Sequence, residues 1–231
     1  WYIGQIALNG NWGDPMMHPN LIDMVKIWAD NHPETFITIH TNGSMRGAKF
    51  WADLAKELRQ YHSHQVNFAV DGLKDTHSIY RRRTDFDKII ENIKSFNEAG
   101  GSARIITTVF EHNKHQLTEL KDLAETLKCR AYVIRHSHAD KMAIKDKNEA
   151  RKNTVDALKT LEVKSDVELV VRVNCQRTQF GLLDLESFIS SKINIRAIML
   201  PKVKTPDEIT FIDDLLTDSN LDTDLHVIMC L

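Results

Sequence analysis

The sequence predicts an α/β fold made of repeated βα units with parallel strands, arranged as a partial (β/α) barrel. Apolar or β-branched runs recur roughly every 30 residues, which is the length of one strand and its crossover helix. Segments with helical periodicity lie between these runs along the whole chain. Polar turns that contain glycine follow several of the runs. Alternation of this kind is typical of a parallel sheet.

Eight apolar runs predict the strands. They centre on residues 3–8, 36–40, 66–70, 103–110, 131–134, 167–173, 195–200 and 225–231. No helical segment follows the last run, which argues against a properly closed barrel. The fold class alone does not define the chemistry, because barrels of this kind support many activities.

Seven apolar stripes predict the helices between the strands. They run through residues 21–28, 51–58, 86–96, 117–127, 150–161, 182–189 and 209–216. Gly100 and Gly101 stand where a helix C-cap is expected, after the third stripe. Thr205 followed by Pro206 indicates the start of the last helix, since proline is favoured in the first helical position.

The composition excludes several classes of function. The chain of 231 residues has a formal net charge of −2, which gives no reason to expect a nucleic-acid or anionic-membrane partner. No apolar run approaches the roughly 18 residues that span a bilayer, and no signal peptide is visible, so a cytoplasmic protein is expected. Cys129, Cys175 and Cys230 are isolated, and the histidine pairs lack the partners of a zinc site. We therefore expect neither a disulfide framework nor a protein-bound zinc ion.

Three short turns at the ends of predicted strands indicate a ligand site. They are Gly13-Asp14-Pro15, Thr41-Asn42-Gly43 and Val70-Asp71-Gly72. The carboxyl ends of parallel strands face one crevice, so these turns are expected to lie near each other. Asp14 could accept hydrogen bonds from an ammonium group, Asn42 offers an amide, and Asp71 could hold ribose hydroxyls. Each turn by itself is also ordinary turn chemistry.

At these residues the chain resembles the radical S-adenosylmethionine (SAM) superfamily. Gly10-Asn11-Trp12-Gly13-Asp14-Pro15 is similar to the Gly-Gly-Glu-Pro element of that family, which contacts the methionine amino group. Thr41-Asn42-Gly43 and Phe68-Ala69-Val70-Asp71-Gly72 resemble its next strand ends, and Val109-Phe110-Glu111-His112-Asn113 resembles a later one. The resemblance implies SAM and a [4Fe–4S] cluster as cofactors. It also implies the following cofactor-binding residues: Gly13, Asp14, Pro15, Thr41, Asn42, Asp71 and Asn113.

Two departures from this family affect the expected activity. Asp14 stands where the family usually has glutamate, so the side chain is one methylene shorter. The C-x-x-x-C-x-x-C loop that binds the cluster is absent from the sequence; in the family this loop would lie upstream of Trp1. The chain, which opens without a methionine, is therefore expected to be a fragment. As such it could form part of a SAM pocket but would be inactive alone.

A second resemblance begins near Lys145. Segments 147–152, 171–174 and 199–203 are similar to the citrate-lyase β-subunit and related 2-oxo-acid aldolases, which are (β/α) barrels that use Mg²⁺. The resemblance implies that Arg172 contacts substrate carboxylate or carbonyl oxygens, and Lys202 ends the next matching strand. Of the acidic pair expected before the first of these segments, only Asp140 remains. The metal-binding Glu and Asp of this family would lie beyond Leu231.

The two resemblances predict a hybrid of two truncated barrels, with residues 1–140 as a radical SAM-like part and residues 141–231 as an aldolase-like part. The first function hypothesis is a fragment of a radical SAM enzyme that acts on an unknown small molecule or peptide. The alternative is a Mg²⁺-dependent carbon–carbon lyase. A third reading is a folded, non-catalytic remnant. A natural fusion, a joined reading frame and a misassembled sequence all fit the boundary between the parts.

Overall fold

The computed structural model describes residues 5–9, 13–60, 64–136, 144–161, 168–193, 195–221 and 223–229. Helices and strands alternate along these residues, and each recorded strand pair is parallel. The predicted α/β fold of repeated βα units, in the strand order of a partial (β/α) barrel, is confirmed. The chain forms two compact units: a first unit of residues 1–106 and 120–131, and a second unit of residues 107–119 and 132–231.

The elements up to residue 109 are strands β1 (Gln5–Leu8), β2 (Phe36–Thr41), β3 (His64–Ala69) and β4 (Ala103–Val109), with a 3-10 helix (Pro15–Met17) and helices α1 (Leu21–Asn31), α2 (Ala48–Leu58), α3 (His77–Tyr80) and α4 (Phe86–Glu98). The later elements are a 3-10 helix (Lys114–Gln116), α5 (Leu117–Thr126), β5 (Ala131–His136), α6 (Ile144–Thr160), β6 (Glu168–Arg172), α7 (Gln179–Ser191), β7 (Ala197–Val203), α8 (Pro206–Asp218) and β8 (Asp224–Met229).

The first unit has a core of aromatic side chains between its sheet and the helices α2 and α4. Trp51, Phe68 and Phe96 are fully buried. The ring centroids of Trp51 and Phe68 are 4.9 Å apart, and the ring of Phe96 lies edge-on to both. Such aromatic pairs contribute packing beyond the area that they bury. This cluster fixes the ends of β2 and β3, from which the candidate site extends.

The second unit contains the parallel ladder β6-β7-β8, in which Val170 lies opposite Ala197 and Ala197 opposite Asp224. The β7 strand has a bulge at Lys202, because Pro201 and Val203 pair with consecutive residues of β8. Lys202 takes the left-handed backbone conformation there, with φ 59°. The bulge places its side chain on the exposed surface between two buried neighbours.

Helices α6 and α7 of the second unit are joined by a buried ion pair. Nε of Arg151 donates to Oδ1 of Asp184 over 2.8 Å, and the two side chains are only 10% and 1% exposed. Oδ2 of Asp184 accepts from both the backbone N and the side-chain Nδ2 of Asn174, each over 2.8 Å. Asp184 therefore connects the end of β6 to both helices.

Several predictions differ in detail from the structure. The stripe predicted for α7 includes Leu182, which is 47% exposed, whereas Asp184 occupies a buried position of that helix. The four-residue helix α3 was not predicted. Segment 10–12 and the ends of the first and last predicted strands, at 3–4 and 230–231, lie outside the described residues. The predicted domain boundary at 140/141 stays a prediction. Among the residues that the structure describes, none of the helices has the length and apolarity to cross a bilayer.

Candidate functional site

Asp14 joins the turn after β1 to the turn after β2. Both of its carboxylate oxygens accept from the hydroxyl of Thr41 over 2.9 Å, and Oδ2 accepts from the backbone N of Asn42 over 2.7 Å. Oδ1 also accepts from the backbone N of Met16. Through this bond Asp14 caps the short helix that begins at Pro15. The side chain of Asp14 remains partly exposed. Two of the three predicted turns are thus held together by one carboxylate.

The turn after β2 presents one amide to the surface. Oδ1 of Asn42 accepts from the backbone N and the hydroxyl of Ser44, over 3.0 and 2.9 Å. Nδ2 of Asn42 makes no hydrogen bond to any residue that the structure describes. Gly43 has a φ of 76°, and a Cβ atom there would lie 2.7 Å from the ring of Phe68. Position 43 therefore requires glycine, on both conformational and steric grounds.

Asn92 supports this turn from helix α4, although it was not among the predicted site residues. Its Nδ2 donates to the backbone O of Gly43 over 2.8 Å, and the residue is completely buried. Trp51 adds a second support, because its Nε1 donates to the backbone O of Met45 over 3.0 Å. A buried asparagine in an otherwise apolar helical stripe was the available signal, since such a group needs a hydrogen-bond partner.

Asp71 is completely buried in the turn after β3. Its Oδ2 accepts from Nε of Arg81, and its backbone N donates to Nδ1 of His77 over 3.2 Å. Burial lowers the pKa of His77; the charge of Asp71 opposes this shift, and that of Arg81 adds to it. Gly72 has a φ of 134°, and a Cβ atom there would lie 2.2 Å from the hydroxyl of Thr76. Asp71 thus fixes the backbone of its turn.

A polar stripe on one side of β2 and β3 was also missed. Nδ2 of Asn67 lies 3.1 Å from the hydroxyl of Thr38 and 3.2 Å from Nε2 of His40. Thr38 and Asn67 are buried, at 2% and 3% exposure. Polar residues at alternate positions of an apolar strand, as in Phe36–Thr41, were the available signal, since alternate side chains share a face.

Asn113 lies in the second unit, after β4. Its Oδ1 accepts from the backbone N of Phe110 over 2.7 Å, and its Nδ2 donates to the backbone O of Thr108 over 2.9 Å. The side chain is completely buried. These bonds close the turn between β4 and the following 3-10 helix. The role of Asn113 in cofactor binding stays a prediction.

Arg172 and Lys202 occupy the ends of the neighbouring strands β6 and β7. Lys202 is exposed, whereas Nε of Arg172 is buried and has no hydrogen-bond partner. Burial lowers the pKa of Arg172 to about 10, and the positive charge of Arg135 adds to this lowering. The guanidinium is still protonated at neutral pH. Arg172 is thus a partly buried cation, and none of the ion pairs observed among the described residues involves it.

The described residues do not fit an iron–sulfur cluster. Burial raises the pKa of Cys129 to about 12, which disfavours the thiolate that such a cluster needs. Cys175 lies in the other unit, and Cys230 and Asp140 are outside the described residues. No group of three or more His, Cys, Asp or Glu side chains is placed to hold a metal in the part of the chain that the structure describes. The Mg²⁺ ligands of an aldolase are likewise not found among these residues.

These features define the class of protein: βα-repeat proteins whose polar residues gather at the carboxyl ends of parallel strands. Residues 11–124 match the family model of the Radical SAM superfamily. Residues 131–225 match the model of HpcH/HpaI aldolase/citrate lyase. Both resemblances predicted from the sequence are therefore confirmed.

Curated relatives match about a third of the chain. The chain is 36% identical over 75 residues to the mitochondrial citramalyl-CoA lyase of Homo sapiens. This match covers 32% of this chain and 22% of the relative. The chain is 33% identical over 79 residues to citrate lyase subunit beta of Haemophilus influenzae, covering 34% of this chain and 26% of the relative. The matches thus span about a quarter of the length of these relatives.

Solved structures match more of the chain. SuiB of Streptococcus suis bound to S-adenosylmethionine has a TM-score of 0.55 at 15% identity, over 80% of this chain and 39% of that chain. SuiB bound to the precursor peptide SuiA has a TM-score of 0.56 at 16% identity, over 81% of this chain and 40% of that chain. At these identities the likeness concerns the fold alone.

Proposed function

We propose that the first unit binds S-adenosylmethionine as part of a radical SAM enzyme. The observation that carries the proposal is the carboxylate of Asp14, which ties the turn after β1 to Thr41 and Asn42 at distances of 2.7–2.9 Å. The match of residues 11–124 to the Radical SAM superfamily supports it. The proposed binding residues of this unit are Gly13, Asp14, Pro15, Thr41, Asn42 and Asp71.

Each of these groups has a distinct task in the proposal. The partly exposed carboxylate of Asp14 accepts from the ammonium group of SAM, which is a charge-assisted bond. The Nδ2 of Asn42 donates to an acceptor of the ligand. Asp71 acts through its pair with Arg81, which fixes the backbone of the turn at Gly72. The enzyme's substrate is proposed to be a small molecule or a peptide.

The proposal for this chain is confined to holding SAM, because the described residues do not fit the cluster. Once supplied, a [4Fe–4S] cluster would contribute the electron for radical chemistry. Asp14 and Asn42 then orient the methionine end of SAM.

Calorimetric titration of the purified chain with SAM tests this function. The wild-type chain is expected to bind SAM saturably, and Asp14→Ala is expected to weaken binding by about tenfold or more, the usual size of a lost charged hydrogen bond. Asp14→Asn keeps a hydrogen-bond acceptor for the turn but removes the charge, so it should also weaken binding. Asp53→Ala is the matched control, since Asp53 is a surface carboxylate of α2 that pairs with Lys49. Absence of SAM binding by the wild type would contradict the proposal and favour the non-catalytic remnant.

A second candidate function is a carbon–carbon lyase of the citrate-lyase type in the second unit. The partly buried side chain of Arg172 favours it, because an arginine at a strand end whose Nε has no hydrogen-bond partner suits a substrate carboxylate. The match of residues 131–225 to HpcH/HpaI aldolase/citrate lyase supports it. Lys202 is the second proposed residue. It is exposed near the end of β7, the strand that follows β6 along the chain.

Calorimetric titration with citramalyl-CoA tests the substrate site of the proposed lyase. The wild-type chain is expected to bind this thioester saturably, and Arg172→Lys is expected to weaken binding roughly tenfold to a hundredfold, because lysine lacks the bidentate fork. Arg177→Lys provides the control, since Arg177 pairs with Glu208 on the surface. Absence of binding by the wild type, or equal binding by Arg172→Lys, would exclude this function.

A further inference from the structure

His77 is a buried, titratable side chain beside the turn after β3, and neither proposed function uses it. It is the first residue of α3 and is 1% exposed. Its ring packs edge-on against Phe86 of α4, with the ring centroids 5.7 Å apart. This packing holds the imidazole in one orientation. What the ring can do then depends on which of its two nitrogens carries a proton.

The hydrogen bonds of the ring indicate its protonation state. Nδ1 of His77 accepts from the backbone N of Asp71 over 3.2 Å, and a ring nitrogen that accepts carries no proton. Nε2 lies 3.1 Å from the hydroxyl oxygen of Thr84. That hydroxyl donates its one hydrogen to the backbone O of Arg81 over 2.6 Å, so it accepts from Nε2. Both contacts fit a neutral imidazole with its proton on Nε2.

The bond to Asp71 connects His77 to the backbone of the candidate SAM site. A Cβ atom at Gly72 would lie 3.0 Å from the backbone N of His77, so the turn packs directly on the start of α3. Arg81 holds the same turn through the side chain of Asp71. The turn is therefore held by its carboxylate and, separately, by its backbone N–H. A buried N–H that loses its acceptor destabilises the conformation that buries it.

Protonation of His77 removes this acceptor. A proton on Nδ1 would face the N–H of Asp71, and two donors cannot bond to each other. Burial lowers the pKa of His77 from its ordinary value of 6.5; the charge of Asp71 opposes this shift, and that of Arg81 adds to it. The folded chain thus keeps the neutral ring at pH 6.5 and takes up the proton as the pH falls further. Three other charged side chains line the surface pocket beside the ring: Lys74, Asp85 and Asp87.

We propose that neutral His77 is a positioning residue of the SAM site: its Nδ1 holds the backbone of Asp71 and Gly72 in the binding conformation, and its protonation releases this turn. The inference rests on the proposed binding of SAM by the first unit. It deepens that function, because it makes the affinity for SAM depend on a proton at a side chain that does not touch the ligand. Affinity is then highest near neutral pH and falls under acidic conditions.

Calorimetric titration of the whole chain with SAM at about pH 7.5 and at about pH 5 tests the inference. His77→Asn keeps an acceptor, since Oδ1 of asparagine can replace Nδ1, but it does not titrate. Acidification is expected to weaken SAM binding by the wild type about fivefold to tenfold more than binding by His77→Asn, the size of one lost buried hydrogen bond. Other groups of the chain and of the ligand titrate in both proteins, so this difference isolates His77.

Two further variants complete the comparison. His77→Leu removes the acceptor and is expected to bind SAM more weakly than His77→Asn at the higher pH. His115→Asn is the control, because His115 is an exposed histidine of the second unit. It should show the pH dependence of the wild type. Circular dichroism of each variant checks that it is folded.

Heteronuclear NMR of the wild-type chain without ligand supplies a readout that needs no variant. At neutral pH, Nδ1 of His77 is expected to be the nitrogen without a proton. The amide resonance of Asp71 should shift with the same midpoint as the ring, below pH 6.5. A proton on Nδ1 at neutral pH, or the same pH dependence of SAM binding in the wild type and in His77→Asn, would overturn this inference alone. Absence of SAM binding by the wild type at neutral pH would overturn the proposed function and this inference together.

Discussion

Asp184→Ala is expected to lower the free energy of unfolding by about 3–5 kcal/mol, the usual cost of breaking a buried ion pair by removing one partner. The side chain of Asp184 is 1% exposed and serves Arg151 on α6 and Asn174 after β6. Its loss leaves the Arg151 guanidinium buried without a counter-charge. It also removes the acceptor of the backbone N of Asn174.

Urea denaturation followed by circular dichroism measures this effect. Glu186→Ala is the control, because Glu186 is exposed on the same helix and should change stability by no more than about 0.5 kcal/mol. The double variant Arg151→Met with Asp184→Leu is expected to recover much of the loss, since it removes both charges together. A loss below about 1 kcal/mol for Asp184→Ala would mean that water reaches Arg151.

Trp51→Ala is expected to destabilise the first unit by about 3–5 kcal/mol, the range for truncation of a buried aromatic side chain. Trp51 is completely buried against Phe68 and Phe96. The substitution opens a cavity between α2 and β3. It also removes the bond from Nε1 to the backbone O of Met45 in the turn after β2.

Two further substitutions separate these contributions. Trp51→Phe keeps most of the ring volume and loses the hydrogen bond, so about 1–2 kcal/mol is expected. Trp28→Ala on α1 is the control for the loss of a tryptophan that is only partly buried, and a smaller effect is expected there. The four tryptophans fall within the first 51 residues, so fluorescence during denaturation reports on the first unit. Equal effects of Trp51→Ala and Trp28→Ala would contradict this account of the core.

The fold could be predicted because it depends on periodicity, which the sequence displays directly. Runs such as 36–40 and 66–70 predicted β2 and β3 to within a few residues. Leu182 shows where periodicity fails: it was predicted to lie in the buried stripe of α7, yet it is 47% exposed. The buried position belongs to Asp184, whose partner Arg151 is 33 residues away in sequence. Hydrophobic pattern alone cannot predict a buried carboxylate, because its cost depends on a distant cation.

The candidate site could be predicted only in part. The turns at Asp14 and Asn42 were found because strand ends of a parallel sheet face one edge, and the structure joins them through hydrogen bonds. The supports of these turns, Asn92 and the polar stripe at Asn67, were missed. Their importance arises from tertiary contacts over 49 and 29 residues of sequence, which local patterns do not encode. Binding of SAM at these turns stays a proposal.

The supports of the turn after β2 act on its backbone. Asn92 and Trp51 donate to the carbonyl oxygens of Gly43 and Met45, and neither bond depends on the side chains of residues 44 and 45. Main-chain carbonyls are present whatever amino acid occupies a position. This turn can therefore acquire new side chains, and with them new ligand preferences, while the conformation of its backbone is preserved. A scaffold of this kind separates the evolution of specificity from the evolution of shape.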